Sequence, residues 1–76
     1  MTRWRIKIDT TSDAIKIANI AGKLEFANDK IVIKDGEGMC VNAKSVLGAL
    51  HAMEFSEIWL ESERDIYAPF AEFILS

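Results

Sequence analysis

The sequence predicts an α+β fold, an open-faced β-sandwich in which three helices cover one face of a four-stranded, mostly antiparallel sheet. Apolar and polar residues alternate in the segments predicted as strands, and between these segments the apolar residues repeat at helical spacing. The dipeptide Asp35-Gly36 favours a tight hairpin, which makes the second and third strands antiparallel. The resulting order is β-α-β-β-α-β-α, and the other face of the sheet would be open or would meet a partner.

The strand patterns fall in four segments. We place the strands at residues 3–9, 30–34, 39–41 and 57–61. In the first strand Trp4, Ile6 and Ile8 alternate with charged residues, so these three side chains are predicted to face the core. In the last strand the same alternation turns Trp59 toward the uncovered face, where it is a candidate contact residue.

Helical patterns fill the remaining segments. Polar residues at 10–13 offer N-cap oxygens to the first helix. Its apolar stripe consists of Ala14, Ile17, Ala18, Ala21 and Leu24. The second helix is predicted to begin within residues 42–45, and Gly48 lowers its helix propensity by about 1 kcal/mol relative to Ala. The last helix is predicted to start near Asp65, because Pro69 is tolerated only near a first turn. The side chains that it would bury are Ile66, Phe70, Phe73 and Ile74.

Length and composition limit the function. A chain of 76 residues forms one domain, residues 1–76, whose core is too thin for a large enclosed cavity, so any chemistry should lie at the surface. Residues 1–34 carry seven Lys/Arg against four Asp/Glu, and residues 35–76 carry two against eight. The first half is too weakly basic to indicate nucleic-acid binding, and no apolar run approaches the roughly 18 residues of a membrane span.

The residues that usually carry chemistry are sparse. Cys40 is the only cysteine and cannot form an internal disulfide. There is no Cys/His metal spacing, no Ser/His/Asp set and no phosphate-binding glycine loop. We therefore expect a cytoplasmic protein that is not an enzyme and needs no metal or cofactor.

The segment Val41–Leu50 reads VNAKSVLGAL. Together with the element order, this string resembles the HPr family, the small phosphocarriers of the bacterial sugar phosphotransferase system, and the resemblance spans residues 3–75. The family has a strand, then Lys-Ser, two apolar residues and often Gly at the start of its second helix. The resemblance implies an HPr-like domain.

The resemblance also gives roles to residues of the second helix. The serine that matches Ser45 is phosphorylated by a dedicated kinase in Gram-positive members, which switches the protein to a regulatory role. A helix start favours a dianion there, and Lys44 adds a positive charge. Alternatively, Ser45 is simply a helix cap. The apolar residues that match Val46, Leu47 and Leu50 form a partner-docking patch in the family; the alternative is that they belong to the core.

The family's phosphoryl-accepting histidine is missing. Aligning the inward positions of the first strand places Asp13 where that histidine should be, Ile15 where the family has arginine and Lys16 where it has proline. The single histidine, His51, matches no catalytic position. Carboxylates do form acyl phosphates, so Asp13 could be an atypical acceptor, but the arginine that would hold the phosphoryl group is missing. A helix N-cap or a first-turn acid explains Asp13 with nothing further required.

These observations predict a regulatory or binding module of the HPr type. Its expected partners are proteins: components of the phosphotransferase system, a serine kinase or a transcription regulator. The expected surface is formed by the starts of the first two helices, which we expect to be adjacent. Alternatively, the chain is a homodimer or a subunit that uses Trp59 or an apolar face made by Ile15 and Ile20. A third hypothesis is a phosphocarrier that uses Asp13.

Overall fold

The computed structural model describes residues 1–75 and confirms an α+β fold with a four-stranded antiparallel sheet and three helices. The elements in chain order are β1 (Thr2–Arg5), α1 (Thr11–Ala21), β2 (Ile31–Lys34), β3 (Cys40–Asn42), α2 (Val46–Ala52), β4 (Trp59–Ser62) and α3 (Tyr67–Phe70). Short 3₁₀ turns follow α1 at Leu24–Phe26 and α3 at Ala71–Phe73. Within the described residues no helix is both long and apolar enough to cross a membrane.

The sheet has the order β1-β4-β2-β3, and every neighbouring pair is antiparallel. One row of side chains runs across all four strands: Trp4 lies opposite Leu60, which lies opposite Ile33, which lies opposite Val41. Leu60 and Ile33 are fully buried and share one core with buried residues of all three helices. The helices therefore cover the face of the sheet that carries this row.

The hairpin between β2 and β3 forms where the sequence predicts it. The Asp35 carboxylate accepts hydrogen bonds from the backbone N–H groups of Glu37 (2.7 Å) and Met39 (3.0 Å). Gly36 and Gly38 have φ angles of 85° and 111°, which only glycine adopts without strain. The turn is therefore fixed by one carboxylate and two glycines.

The predicted ends of the first strand and the first helix are wrong. The first strand ends at Arg5 and not at residue 9, because the chain there pairs with the C-terminal segment: Leu75 N–H donates to Arg5 O at 2.8 Å. The prediction that Leu24 continues the buried stripe of α1 is also wrong. The helix ends at Ala21, and the N–H of Gly22 closes it on Ala18 O at 2.9 Å. Leu24 lies in the following turn and is 90% exposed.

The last helix is shorter than its pattern predicts. It begins at Tyr67, whose N–H donates to the Asp65 carboxylate at 2.9 Å, and it passes into a 3₁₀ turn after Phe70. The predicted buried residues Ile66, Phe70 and Phe73 are confirmed in the core. The packing of these side chains, and not helix length, holds this segment.

The face of the sheet that carries no helix is lined by charged side chains of the strands themselves. Trp59 lies on this face, as predicted, with the Arg3 guanidinium 4.3 Å from its ring centroid. Glu61 lies beside it with only 9% of its side chain exposed. The Glu61 carboxylate forms ion pairs of 3.2 Å with both Arg3 and Lys34. Much of the Trp59 and Glu61 surface is thus shielded within the chain itself.

Candidate functional site

The candidate site begins where β3 turns into α2. The Asn42 side chain accepts a hydrogen bond from Lys44 N–H at 2.9 Å, and Asn42 O accepts one from Ser45 N–H at 3.1 Å. Ser45 has an extended backbone, and its Oγ accepts a hydrogen bond from Gly48 N–H at 3.1 Å. The interpretation of Ser45 as the N-cap of α2 is confirmed. Its half-buried hydroxyl already satisfies one of the free N–H groups at the helix start.

Lys44 is tied to the 3₁₀ turn that follows α1. Its Nζ donates to Phe26 O at 2.6 Å. Because this lysine immediately precedes the cap residue of α2, the hydrogen bond joins the start of α2 to residues 24–26. The positive charge next to Ser45 in the sequence is therefore anchored to a specific carbonyl oxygen.

We expect Ser45→Ala to lower the free energy of unfolding by about 1 kcal/mol, because Gly48 N–H loses its hydrogen-bond acceptor. Ser45→Asp retains an acceptor at the cap and should recover most of the loss. Chemical denaturation of both variants measures the difference. Equal stability of the alanine variant and the parent chain would show that the side chain of Ser45 does not cap the helix.

The apolar residues of α2 divide between surface and core. Leu47 is 77% exposed and Val46 is 42% exposed. Leu50 is half-buried and packs against the core, while Ala49 is fully buried. Of the three predicted docking residues, Val46 and Leu47 are therefore available to a partner, whereas Leu50 belongs largely to the core.

The predicted apolar face of α1 does not form. Ile15 and Ile20 are five residues apart, which places their side chains about 140° apart around a helix. Ile15 is 43% exposed, whereas Ile20 is half-buried and packs against the core. Only Ile15 remains as an exposed apolar residue of the surface that the two were expected to share.

The expectation that the starts of α1 and α2 are adjacent is also wrong. Strands β1 and β2 are both antiparallel to β4, and β3 is antiparallel to β2, so β1 and β3 run in opposite directions. Since α1 follows β1 and α2 follows β3, the two helices start at opposite ends of the sheet. The start of α2 lies instead next to the turn after α1, as the hydrogen bond from Lys44 to Phe26 shows.

Asp13 takes part in two hydrogen bonds at the start of α1. Its N–H donates to Thr10 Oγ1 at 3.1 Å, and its carboxylate accepts from Asp9 N–H at 3.1 Å. This reciprocal arrangement is close to a capping box, which confirms Asp13 as an acid of the first turn. Lys16 and His51 are exposed, and the His51 ring lies 5.8 Å from the ring of Phe55.

Within residues 1–75 there is no group of three or more His, Cys, Asp or Glu that could hold a metal ion. Two shallow grooves of about 400 Å³ run along β2 and β3 and share Lys30, Val32 and Cys40 in their walls. Neither groove is lined by Asp13 or Ser45.

Two features of this region are not predicted by the sequence patterns. From the sequence Gly48 is only a poor helix former, but a Cβ at this position would lie 2.7 Å from Asn42 O. Helix α2 therefore packs against the end of β3 at a distance that only glycine permits. The helical stripe predicts that Leu24 is buried, but it is one of the most exposed apolar residues. The glycine at residue 22 was the available signal that α1 ends before Leu24.

Comparison with protein-family models, with curated proteins and with solved structures finds no match to this chain.

Proposed function

We propose that this chain is an HPr-like regulatory or binding module that lacks the phosphoryl-accepting histidine and binds a protein partner through the exposed start of α2. The observation that carries the proposal is the 77% exposure of Leu47, next to the 42% exposure of Val46, on a helix that otherwise packs into the core. Exposed aliphatic side chains that lie next to each other are typical of contact sites between proteins.

The element order and the Lys-Ser string support an HPr-like chain, and the chemistry of α1 supports the loss of phosphocarrier activity. The residue at the expected histidine position is Asp13, and both its N–H and its carboxylate take part in capping α1. The residue at the expected arginine position, Ile15, cannot hold an anion. In this proposal the chain performs no catalysis of its own, and docking is its activity.

The other hypotheses have less support. A homodimer or subunit contact through the Ile15/Ile20 face or Trp59 would need those side chains to be available. Ile15 is 43% exposed, but Ile20 packs against the core and Trp59 lies under Arg3. A phosphocarrier that uses Asp13 would lack the family's arginine beside the phosphoryl group, since Ile15 stands at that position.

We further propose that phosphorylation of Ser45 regulates the docking, since Ser45 directly precedes Val46 and Leu47. A phosphoryl group adds about −1.5 to −2 charges at pH 7, next to the apolar contact residues. It would therefore favour a basic partner surface over an apolar one.

Incubation with ATP and the serine kinase of the HPr family tests this regulation. We expect intact-mass spectrometry to detect one added phosphoryl group, lost in Ser45→Ala and retained in the control Ser56→Ala, which removes an exposed serine elsewhere. A chain that takes up no phosphoryl group, or takes it up equally in the Ser45→Ala variant, would contradict a regulatory role for Ser45.

A further inference from the structure

The two edges of the sheet differ in what lies against them. At the β3 edge, α2 packs so closely that a Cβ on Gly48 would lie 2.7 Å from Asn42 O. At the β1 edge, the segment that follows α3 pairs antiparallel with the end of the strand, where Leu75 N–H donates to Arg5 O at 2.8 Å. The β1 edge therefore already accepts a strand from the chain itself.

The register of β1 shows which of its backbone groups face this edge. Trp4 pairs with Leu60, and Ile6 N–H donates to Ile58 O at 2.9 Å, so the even-numbered residues form the hydrogen bonds to β4. The N–H and C=O groups of the odd-numbered residues point away from β4. Among the described residues, nothing hydrogen-bonds to the N–H or C=O of Arg3. These two groups are the donor and the acceptor that one more strand requires.

The side chains on either side of these groups indicate what a further strand should carry. Arg3 and Arg5 lie on the face of the sheet that carries no helix, with 49% and 47% of their side chains exposed. On the opposite face Trp4 is half-buried, and the ring of Tyr67 lies 6.2 Å from it. Tyr67 is itself 50% exposed. The β1 edge is therefore basic on one side and aromatic on the other.

We infer that the β1 edge binds an extended segment of a partner protein, antiparallel to β1, in which acidic residues alternate with apolar ones. The acidic side chains would lie beside Arg3 and Arg5, and the apolar ones beside Trp4 and Tyr67, since successive side chains of a strand point to opposite faces. Backbone hydrogen bonds supply the affinity in this mode of recognition, and the alternating side chains supply the specificity.

The charge of the edge also decides against a second copy of this chain as the occupant. A second β1 would bring its own Arg3 and Arg5 to the edge, and like charges on adjacent strands destabilise their pairing. The site lies at the edge of the sheet opposite to the one that α2 contacts, so it is independent of docking through α2.

Two short synthetic peptides test the inference, one that alternates leucine with glutamate and one that alternates leucine with lysine. Each is titrated into the full ¹⁵N-labelled chain. We expect the glutamate peptide to bind at least roughly fivefold more tightly and to lose this advantage as salt is added. In the complex the Arg3 amide should become protected from hydrogen exchange. Equal affinities, or binding without protection of the Arg3 amide, would overturn the inference.

Methylation of the peptide nitrogens tests the register. The peptide residue that exchanges hydrogen bonds with Arg3 lies directly opposite it and carries its side chain on the same face, so it is a glutamate. Methylating the glutamate nitrogens should weaken binding at least roughly tenfold, whereas methylating the leucine nitrogens, which point away from β1, should change it less than about twofold. Equal effects of the two methylated peptides would contradict a strand paired at this edge.

Substitutions in the chain separate this site from the docking surface on α2. Tyr67→Ser should weaken the glutamate peptide roughly fivefold, because its ring lies beside the apolar side chains of the added strand. Leu47→Ser, and Met39→Ser as a control in the hairpin, should leave the affinity unchanged. If Leu47→Ser abolishes binding and Tyr67→Ser does not, the peptide occupies α2 and the inference falls. Protection of the Arg3 amide that rises with chain concentration without peptide would identify a second copy and would likewise overturn it.

Discussion

Replacing Gly48 with alanine is expected to destabilise the chain by about 1–3 kcal/mol, although the same change in an exposed helix would stabilise it by about 1 kcal/mol. The added Cβ would lie 2.7 Å from Asn42 O and 3.4 Å from Ser45 Cβ. Because the nearest atom belongs to the backbone, a side-chain rotation cannot relieve the overlap. Instead, α2 would have to move away from the end of β3.

Chemical denaturation of Gly48→Ala beside Leu47→Ala measures this effect. Leu47→Ala alters the neighbouring position, whose side chain is mostly in water, and should change stability by less than about 0.5 kcal/mol. An increase in stability in Gly48→Ala would show that helix propensity outweighs the contact and that α2 does not approach β3 this closely. The expected loss of stability would establish that a glycine is required for α2, which carries Val46 and Leu47, to pack closely against the end of β3.

Removing the guanidinium of Arg3 is expected to cost about 1–2 kcal/mol, because this group serves two neighbours at once. Its Nε lies 3.2 Å from the Glu61 carboxylate, and its guanidinium carbon lies 4.3 Å from the Trp59 ring centroid. Among the described residues, the largely buried Glu61 then keeps only Lys34 as an ion-pair partner in Arg3→Ala. Since Arg3 is itself about half exposed, its ion pair with Glu61 alone contributes little to stability. The position of its guanidinium over the Trp59 ring accounts for the rest of the expected loss.

Arg5→Ala is the matched control for Arg3→Ala. Arg5 lies on the same strand and the same face, but its ion pair with Glu57 is 3.8 Å long and its guanidinium lies 6.0 Å from the Trp59 ring. We expect this variant to lose less than about 0.5 kcal/mol of stability. Equal losses of stability in the two variants would show that only the positive charge of each arginine matters on this face of the sheet. The specific contacts of Arg3 with Trp59 and Glu61 would then add nothing.

The spacing of apolar residues along the sequence is sufficient to predict the architecture of the fold. Alternation around Trp4 and Leu60 and the hairpin signal at Asp35-Gly36 identify the strands, and the structure confirms an antiparallel sheet with three helices. These features are local, so they can be read from neighbouring residues. The ends of elements depend on distant partners, which is why the pairing of Leu75 with Arg5 could not be foreseen.

The candidate site was predicted less completely because it depends on how elements face one another. The cap at Ser45 and the exposure of Leu47 follow from position in the helix and agree with expectation. Helix geometry alone could have shown that Ile15 and Ile20 point in different directions. The opposite placement of the two helix starts follows only from the strand order, and the contact between Lys44 and Phe26 requires the packed structure.

The most direct test of a docking module without phosphocarrier chemistry is phosphoryl transfer from phosphoenolpyruvate by the first enzyme of the phosphotransferase system. Intact-mass spectrometry of this chain, beside a histidine-containing HPr as the positive control, should detect no added phosphoryl group on the chain while the control is fully modified. A phosphorylated chain would contradict the proposal. Lability of the group to hydroxylamine and its loss in Asp13→Asn would then identify an acyl phosphate on Asp13.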